Sequence, residues 1–107
     1  MKEAPIQKAI LEFLAWKKIP SWRINTMGVP LAGKPGKFRP SPNRGISDII
    51  GILPSGQFLA IECKAPKAKP TREQADFIEI ISRMGGKAFI ATSIDDVKRE
   101  LKLCQRK

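Results

Sequence analysis

The chain has 107 residues, enough for a single domain over residues 1–107 with one modest core. Its formal net charge of +10, from 20 basic and 10 acidic residues, points to a polyanionic partner, with nucleic acid ahead of an acidic membrane surface. Two cysteines and no histidine exclude a Cys/His zinc finger, a disulfide framework and every His-dependent catalytic triad. No apolar run reaches membrane-spanning length and the amino terminus lacks a signal-peptide core, so an intracellular protein is expected.

Ile6, Ile10, Phe13, Leu14 and Ile19 recur at near-helical spacing, which predicts an amphipathic helix over residues 4–18 with Pro5 in its first turn. Pro20 closes it. Residues 21–27 alternate and end at Gly28, a short strand with Trp22 and Ile24 on one side and Arg23 and Asn25 on the other. Trp16 and Trp22 are each a core residue or a dimer contact, with core favoured. Residues 28–45 are broken by Pro and Gly throughout, so no regular element is expected there. A loop of this length is either a solvated surface or a functional segment, and its place just ahead of Asp48 favours function.

Two apolar runs then flank Pro54-Ser55-Gly56, the pattern of a β-hairpin. Asp48 opens the first run; Glu62 and Lys64 end the second. After a basic connector, Thr71 starts a helix reaching about Met84, with Ala75, Phe77, Ile78, Ile81 and Met84 on its apolar face, ended by Gly85-Gly86. Residues 87–92 form a strand. Ser93 and Asp96 make a capping box for a last helix with Ile94, Val97, Leu101 and Cys104 inward. Cys63 and Cys104 are read as small buried apolar residues. The order αβββαβα gives an α/β fold, a mixed sheet with helices packed on it.

The hairpin carries the chemistry. Side chains alternate along a strand, so Glu62 and Lys64 share a face, and folding the hairpin brings Asp48 to the same end. The two carboxylates, with the Cys63 carbonyl between Glu62 and Lys64, offer oxygen ligands suited to Mg²⁺. Such an ion polarises a phosphodiester and acidifies a bound water. Lys64 is placed to orient that water or offset charge developing on the phosphate. The plainer reading is a turn acid at Asp48 and an ordinary strand-end pair at Glu62 and Lys64. Three features weigh against it: the strand-opening place of Asp48, the hairpin that joins the two ends, and the basic connectors around them.

Gly45-Ile46-Ser47-Asp48-Ile49-Ile50-Gly51, Ile61-Glu62-Cys63-Lys64 and Thr71-x-x-Gln74-x-x-Phe77-Ile78, followed by Gly85-Gly86 and an alternating strand, resemble the VRR-NUC (virus-type replication-repair nuclease) family of the PD-(D/E)xK nuclease superfamily. The resemblance runs from Glu3 to Leu101, with Ser47 where the superfamily pattern has proline. It implies a restriction-endonuclease-like fold and Mg²⁺- or Mn²⁺-dependent hydrolysis of DNA. It places metal ligation on Asp48, Glu62 and the Cys63 carbonyl, and the catalytic lysine at Lys64. It implies an acid on the first helix, for which Glu3 matches best and Glu12 is the alternative; Glu3 also reads simply as a favourable acid at a helix amino terminus. Gln74 gains a site role, although Thr71-x-x-Gln74 is also a capping box by itself. Lys34, Lys37, Arg39, Arg44, Lys67, Lys69 and Arg72 are phosphate-contact candidates. The resemblance further implies a homodimer resolving branched DNA such as four-way (Holliday) junctions. It suggests replication or repair in the cytoplasm of a bacterium or phage-infected cell. A flap, nicking or restriction-type nuclease and a non-catalytic basic DNA-binding module stay open as alternatives.

Overall fold

The structure, a computed structural model, describes residues 3–24, 29–30, 33, 38–39 and 45–104. Helix α1 spans Glu3–Trp16. Ile6, Ile10 and Leu14, four residues apart, form one fully buried stripe. The helix stops where Ile19 N–H donates to Leu14 O at 2.9 Å and Lys18 N–H donates to Ala15 O at 3.0 Å. That pattern turns the chain through a left-handed residue, here Lys18 with φ 61° in place of the usual glycine. The turn sends Ile19 back into the core.

The main sheet has strand order β1-β4-β5-β6, formed by Ser21–Arg23, Ile49–Ile52, Phe58–Cys63 and Lys87–Ala91. β1, β4 and β5 are antiparallel neighbours, and β6 lies parallel to β5 after the crossover through α2, Arg72–Arg83. This is the expected α/β architecture. Of the strand anticipated over residues 21–27, β1 covers Ser21–Arg23, and residues 25–27 lie outside the described residues. The segment expected to hold no regular element does hold one: Val29–Pro30 (β2) pairs antiparallel with Phe38–Arg39 (β3) as a separate two-stranded sheet. Proline is tolerated there because a strand of a two-stranded ribbon needs hydrogen bonds on one edge only.

The β4–β5 hairpin closes through a three-residue loop. Gly56 N–H donates to Leu53 O at 2.8 Å, Leu53 N–H donates to Gln57 O at 2.9 Å, and Gly56 takes φ 91°. A turn with glycine at its left-handed position fixes the register of the strands that follow. Ile49 therefore faces Ile61, and Ile52 faces Phe58.

That register sorts the sheet into two faces. Ile49, Leu59, Ile61, Cys63, Phe89 and Ala91 share one face and bury against α1 and against Val97 and Leu101 of α3, Ile94–Cys104. The other face carries Trp22, Ile50, Ile52, Phe58, Ala60 and Glu62, and α2 packs over its β5–β6 side. Trp16 and Trp22, expected in the core, are 77% and 52% exposed. Trp16 sits on the last turn of α1 and Trp22 on an edge strand, where among the described residues no further layer covers them.

Both later helices are capped by side chains. Thr71 Oγ1 accepts from Gln74 N–H at 3.2 Å and Gln74 Oε1 accepts from Thr71 N–H at 2.8 Å, a reciprocal box. The sheet-facing positions of α2 are Gln74, Phe77, Ile78 and Ile81, while Ala75 and Met84, expected on its apolar face, are exposed. At α3, Ser93 Oγ accepts from Asp96 N–H at 3.4 Å. The Asp96 carboxylate reaches one residue further back than the anticipated box, accepting Thr92 N–H at 2.8 Å and the Thr92 hydroxyl at 2.9 Å. The bond from the Thr92 N–H, helped by Arg99, holds the Asp96 carboxyl below the usual carboxylate range. The Cys104 side chain lies outside the described residues, whereas Cys63 is fully buried as expected. Among the described residues no helix is long and apolar enough to cross a membrane.

Candidate active site

The Ile49–Ile61 pair is the last of the β4–β5 ladder, and the next residue on each strand is Asp48 and Glu62. Antiparallel register thus sets these two acids opposite one another on the same face. Backbone bonds hold both strands just past the sheet. Ile24 N–H donates to Asp48 O at 2.7 Å, and Lys64 N–H donates to Ala91 O at 3.0 Å. The Asp48 side chain is fixed as well, because its Oδ2 accepts Cys63 N–H at 2.9 Å. One hydrogen bond therefore ties the first acid to the peptide that joins Glu62 to Lys64.

Glu62 is 1% exposed and Lys64 9%, which is rare for either residue type unless the charges are compensated. Lys64 Nζ lies 3.8 Å from Glu62 Oε2. Gln74 Nε2 donates to the same oxygen at 2.9 Å. Gln74 makes both contacts, the cap and the reach to Glu62, with opposite ends of one amide. Its oxygen closes the α2 capping box while its nitrogen holds Glu62, and this network fixes which end is which. The glutamine reaches the acid because it occupies the sheet-facing stripe of α2, a position the apolar pattern assigned to Ala75.

Gly45, three residues ahead of Asp48, has φ 87°, and a Cβ there would lie 2.9 Å from the Glu73 carbonyl oxygen. Only glycine fits both the backbone conformation and the close approach to the first turn of α2. The loop entering the site and the helix carrying Gln74 are pressed together at this point. Ser47 is buried and its hydroxyl makes no hydrogen bond among the described residues. A proline at this position would carry no such demand.

The donor set fits a hard divalent cation. Two opposed carboxylates and the Cys63 carbonyl would all offer oxygen, with a neighbouring lysine to balance charge. Among the described residues no three His, Cys, Asp or Glu side chains gather, so the set rests on two acids and a backbone oxygen. Glu3 is the first residue of α1, but its side chain lies outside the described residues. Glu12 is exposed on α1, the helix that covers the opposite sheet face.

Of the basic candidates, Lys67 and Lys69 are exposed on the connector from Lys64 to α2, and Arg72 is exposed at the first position of α2. Lys67 adopts φ 71° in a turn closed by Ala68 N–H donating to Ala65 O at 3.0 Å. Arg72 pairs loosely with Asp76 at 4.0 Å. Arg39 lies in β3 with its side chain outside the described residues, and Lys34, Lys37, Arg44 and Asn25 lie outside them altogether.

No protein-family model matches the chain. Over 59 residues, 55% of its length, it is 34% identical to "Putative nuclease p44" of Acyrthosiphon pisum secondary endosymbiont phage 1. The match spans 63% of that relative. A solved structure described as a VRR_NUC domain superposes with a TM-score of 0.66 at 21% identity, covering 94% of each chain. The chain has the fold of a VRR_NUC domain.

Proposed function

We propose that the chain is a divalent-metal-dependent DNA endonuclease of the VRR-NUC family. One observation carries the reading: the hairpin register opposes Asp48 and Glu62, and Lys64 follows on the same face. The phage relative described as a nuclease and the VRR_NUC fold support it. Asp48, Glu62 and the Cys63 carbonyl would hold Mg²⁺ or Mn²⁺. When bound, the ion supplies Lewis acidity toward the scissile phosphate and acidifies water in its shell.

The chain's own residues do the rest. Gln74 and the Cys63 N–H orient the two acids, so little reorganisation is left to the moment of reaction. The Lys64 ammonium faces the developing negative charge on the phosphate and positions the attacking water. The first helix would add an acid to this set, Glu3 or else Glu12. Lys67, Lys69 and Arg72, with Lys34, Lys37, Arg39 and Arg44, bind the phosphate backbone without reading bases.

The finer substrate is branched DNA, including four-way junctions, cut by a homodimer during replication or repair. Two copies related by a two-fold axis would present a pair of sites matched to a symmetric junction. Trp22, Ile52 and Phe58, exposed on the site face, give a second copy an apolar surface to cover. The test is cleavage of a synthetic four-way junction and of linear duplex in Mg²⁺ and in EDTA. Wild type, Asp48→Asn and Lys64→Ala are compared. Metal-dependent cutting that prefers the junction and disappears in both variants is expected. Equal cutting of both substrates removes the junction assignment, and undiminished cutting by the variants removes the site.

A further inference from the structure

A groove lies far from this chemistry, in the layer of helices on the opposite face of the sheet. It has a volume of about 690 Å³ and runs between the last turn of α1 and the length of α3. Ile19 and Leu101, at the edge of the core, line its floor, and Phe13, Ile94 and the 77% exposed Trp16 form its apolar walls. The remaining lining residues are Lys17, Lys98 and Lys102, and among the described residues no acid contributes. None of these lysines makes an ion pair among the described residues. Two of them lie over aromatic rings instead. Lys17 Nζ is 5.4 Å from the Trp16 ring centre and Lys98 Nζ is 5.7 Å from that of Phe13.

A concavity of this size is in the range that holds a bulky side chain or a turn of peptide. Apolar walls alone would leave the occupant open, but the rim does not. Three uncompensated ammonium groups repel a basic segment and attract carboxylates. A phosphate backbone would satisfy the lysines and leave the apolar floor unused. The α1–α3 layer also lies behind the sheet from the acids that would meet the scissile strand. A ligand that uses both features carries acids on either side of a large apolar residue.

We propose that this groove docks an acidic peptide segment of a partner protein, with one bulky apolar side chain seated between Trp16 and Ile94 and its carboxylates on Lys17, Lys98 and Lys102. The contact is independent of the nuclease site. It would tether the domain to a partner while the opposite face stays open to substrate.

The probe is a fluorescein-labelled peptide of about ten residues, rich in Asp and Glu with a single central Phe. Binding to the whole chain is followed by anisotropy. Saturable binding is expected, weakened about tenfold or more by Lys98→Glu combined with Lys102→Glu, by Trp16→Ala, and by Phe→Ala in the peptide. Raising salt should weaken it too. All three protein positions are exposed, so the variants should keep the wild-type circular dichroism and thermal midpoint. DNA cleavage, where present, should not change, and the binding result stands whether or not the chain cuts DNA. Three outcomes overturn the proposal. In the first, the Phe-free peptide binds as well as the parent. In the second, the double charge reversal weakens duplex DNA binding as much as peptide binding, which gives the groove to nucleic acid. In the third, Trp16→Ala shifts the sedimentation of the free chain from dimer to monomer, which gives it to a second copy.

Discussion

Strand β5 serves the two faces of the sheet in opposite ways. Leu59, Ile61 and Cys63 point into a sealed apolar layer under α1 and α3. Ala60 and Glu62, one residue out of phase, and Lys64 beyond them, point to a face that α2 covers only in part. There Trp22, Ile52 and Phe58 remain exposed, and the buried charges are held by named partners. The difference shows why a small chain can carry a costly polar site. The apolar face supplies the stability, and the period-two alternation of one strand keeps the charges from intruding on it.

Substitutions on the two faces should therefore separate activity from stability. The largest effect expected is on Asp48→Asn, with cleavage lost by about 10²–10³-fold or more and the thermal midpoint little changed; Lys64→Ala should lose cleavage to a like extent and also lower the midpoint, because it removes the ammonium beside the buried Glu62 carboxylate. Next, Ile61→Ala on the sealed face should cost about 2–5 kcal/mol in urea unfolding. It should leave the rate per folded molecule near wild type. A midpoint collapse in Asp48→Asn, or an activity collapse in folded Ile61→Ala, would break the division between faces.

Gln74 spans the division, because one amide serves both a helix cap and Glu62. Gln74→Ala should lose about 10–100-fold in activity or metal affinity. Thr71→Ala, which removes only the cap hydroxyl, should cost about 1 kcal/mol of stability with a smaller loss of activity. Equal activity losses would mean that helix position rather than the amide contact matters.

The smallest effect concerns Asp96, on the stability side. Its carboxyl is held below the usual range in the folded chain, so its contribution is fully present above the unfolded value of about 4 and fades as pH falls through the lower folded one. The midpoint gap between wild type and Asp96→Asn should be constant near neutrality and close as pH drops below about 4. A gap that widens in acid would reverse the sign of this linkage.

The hairpin was legible in the sequence because a short Pro-Ser-Gly loop leaves few registers, and alternation then fixes which residues meet. Asp48, Glu62 and Lys64 follow from that arithmetic alone. The capping box at Thr71 was equally readable. What the pattern could not say was that Gln74, rather than Ala75, takes the inward position, since apolarity marks a helix face only where the sheet beneath is apolar. Trp16 and Trp22 were misplaced for a related reason. Aromatic size argues for burial, but burial needs a covering layer, and among the described residues neither the last turn of α1 nor the edge strand has one. The β2–β3 pairing was hidden because Pro30 reads as a breaker although an edge tolerates it.

The account stands most directly on whether Asp48 and Glu62 grip one divalent ion. Titration with Mn²⁺, followed by electron paramagnetic resonance, measures this without any substrate. Saturable binding is predicted for wild type and for Lys64→Ala, and its loss for Asp48→Asn and for Glu62→Gln. Undiminished Mn²⁺ binding in both acid variants, or none in the wild type, would contradict it.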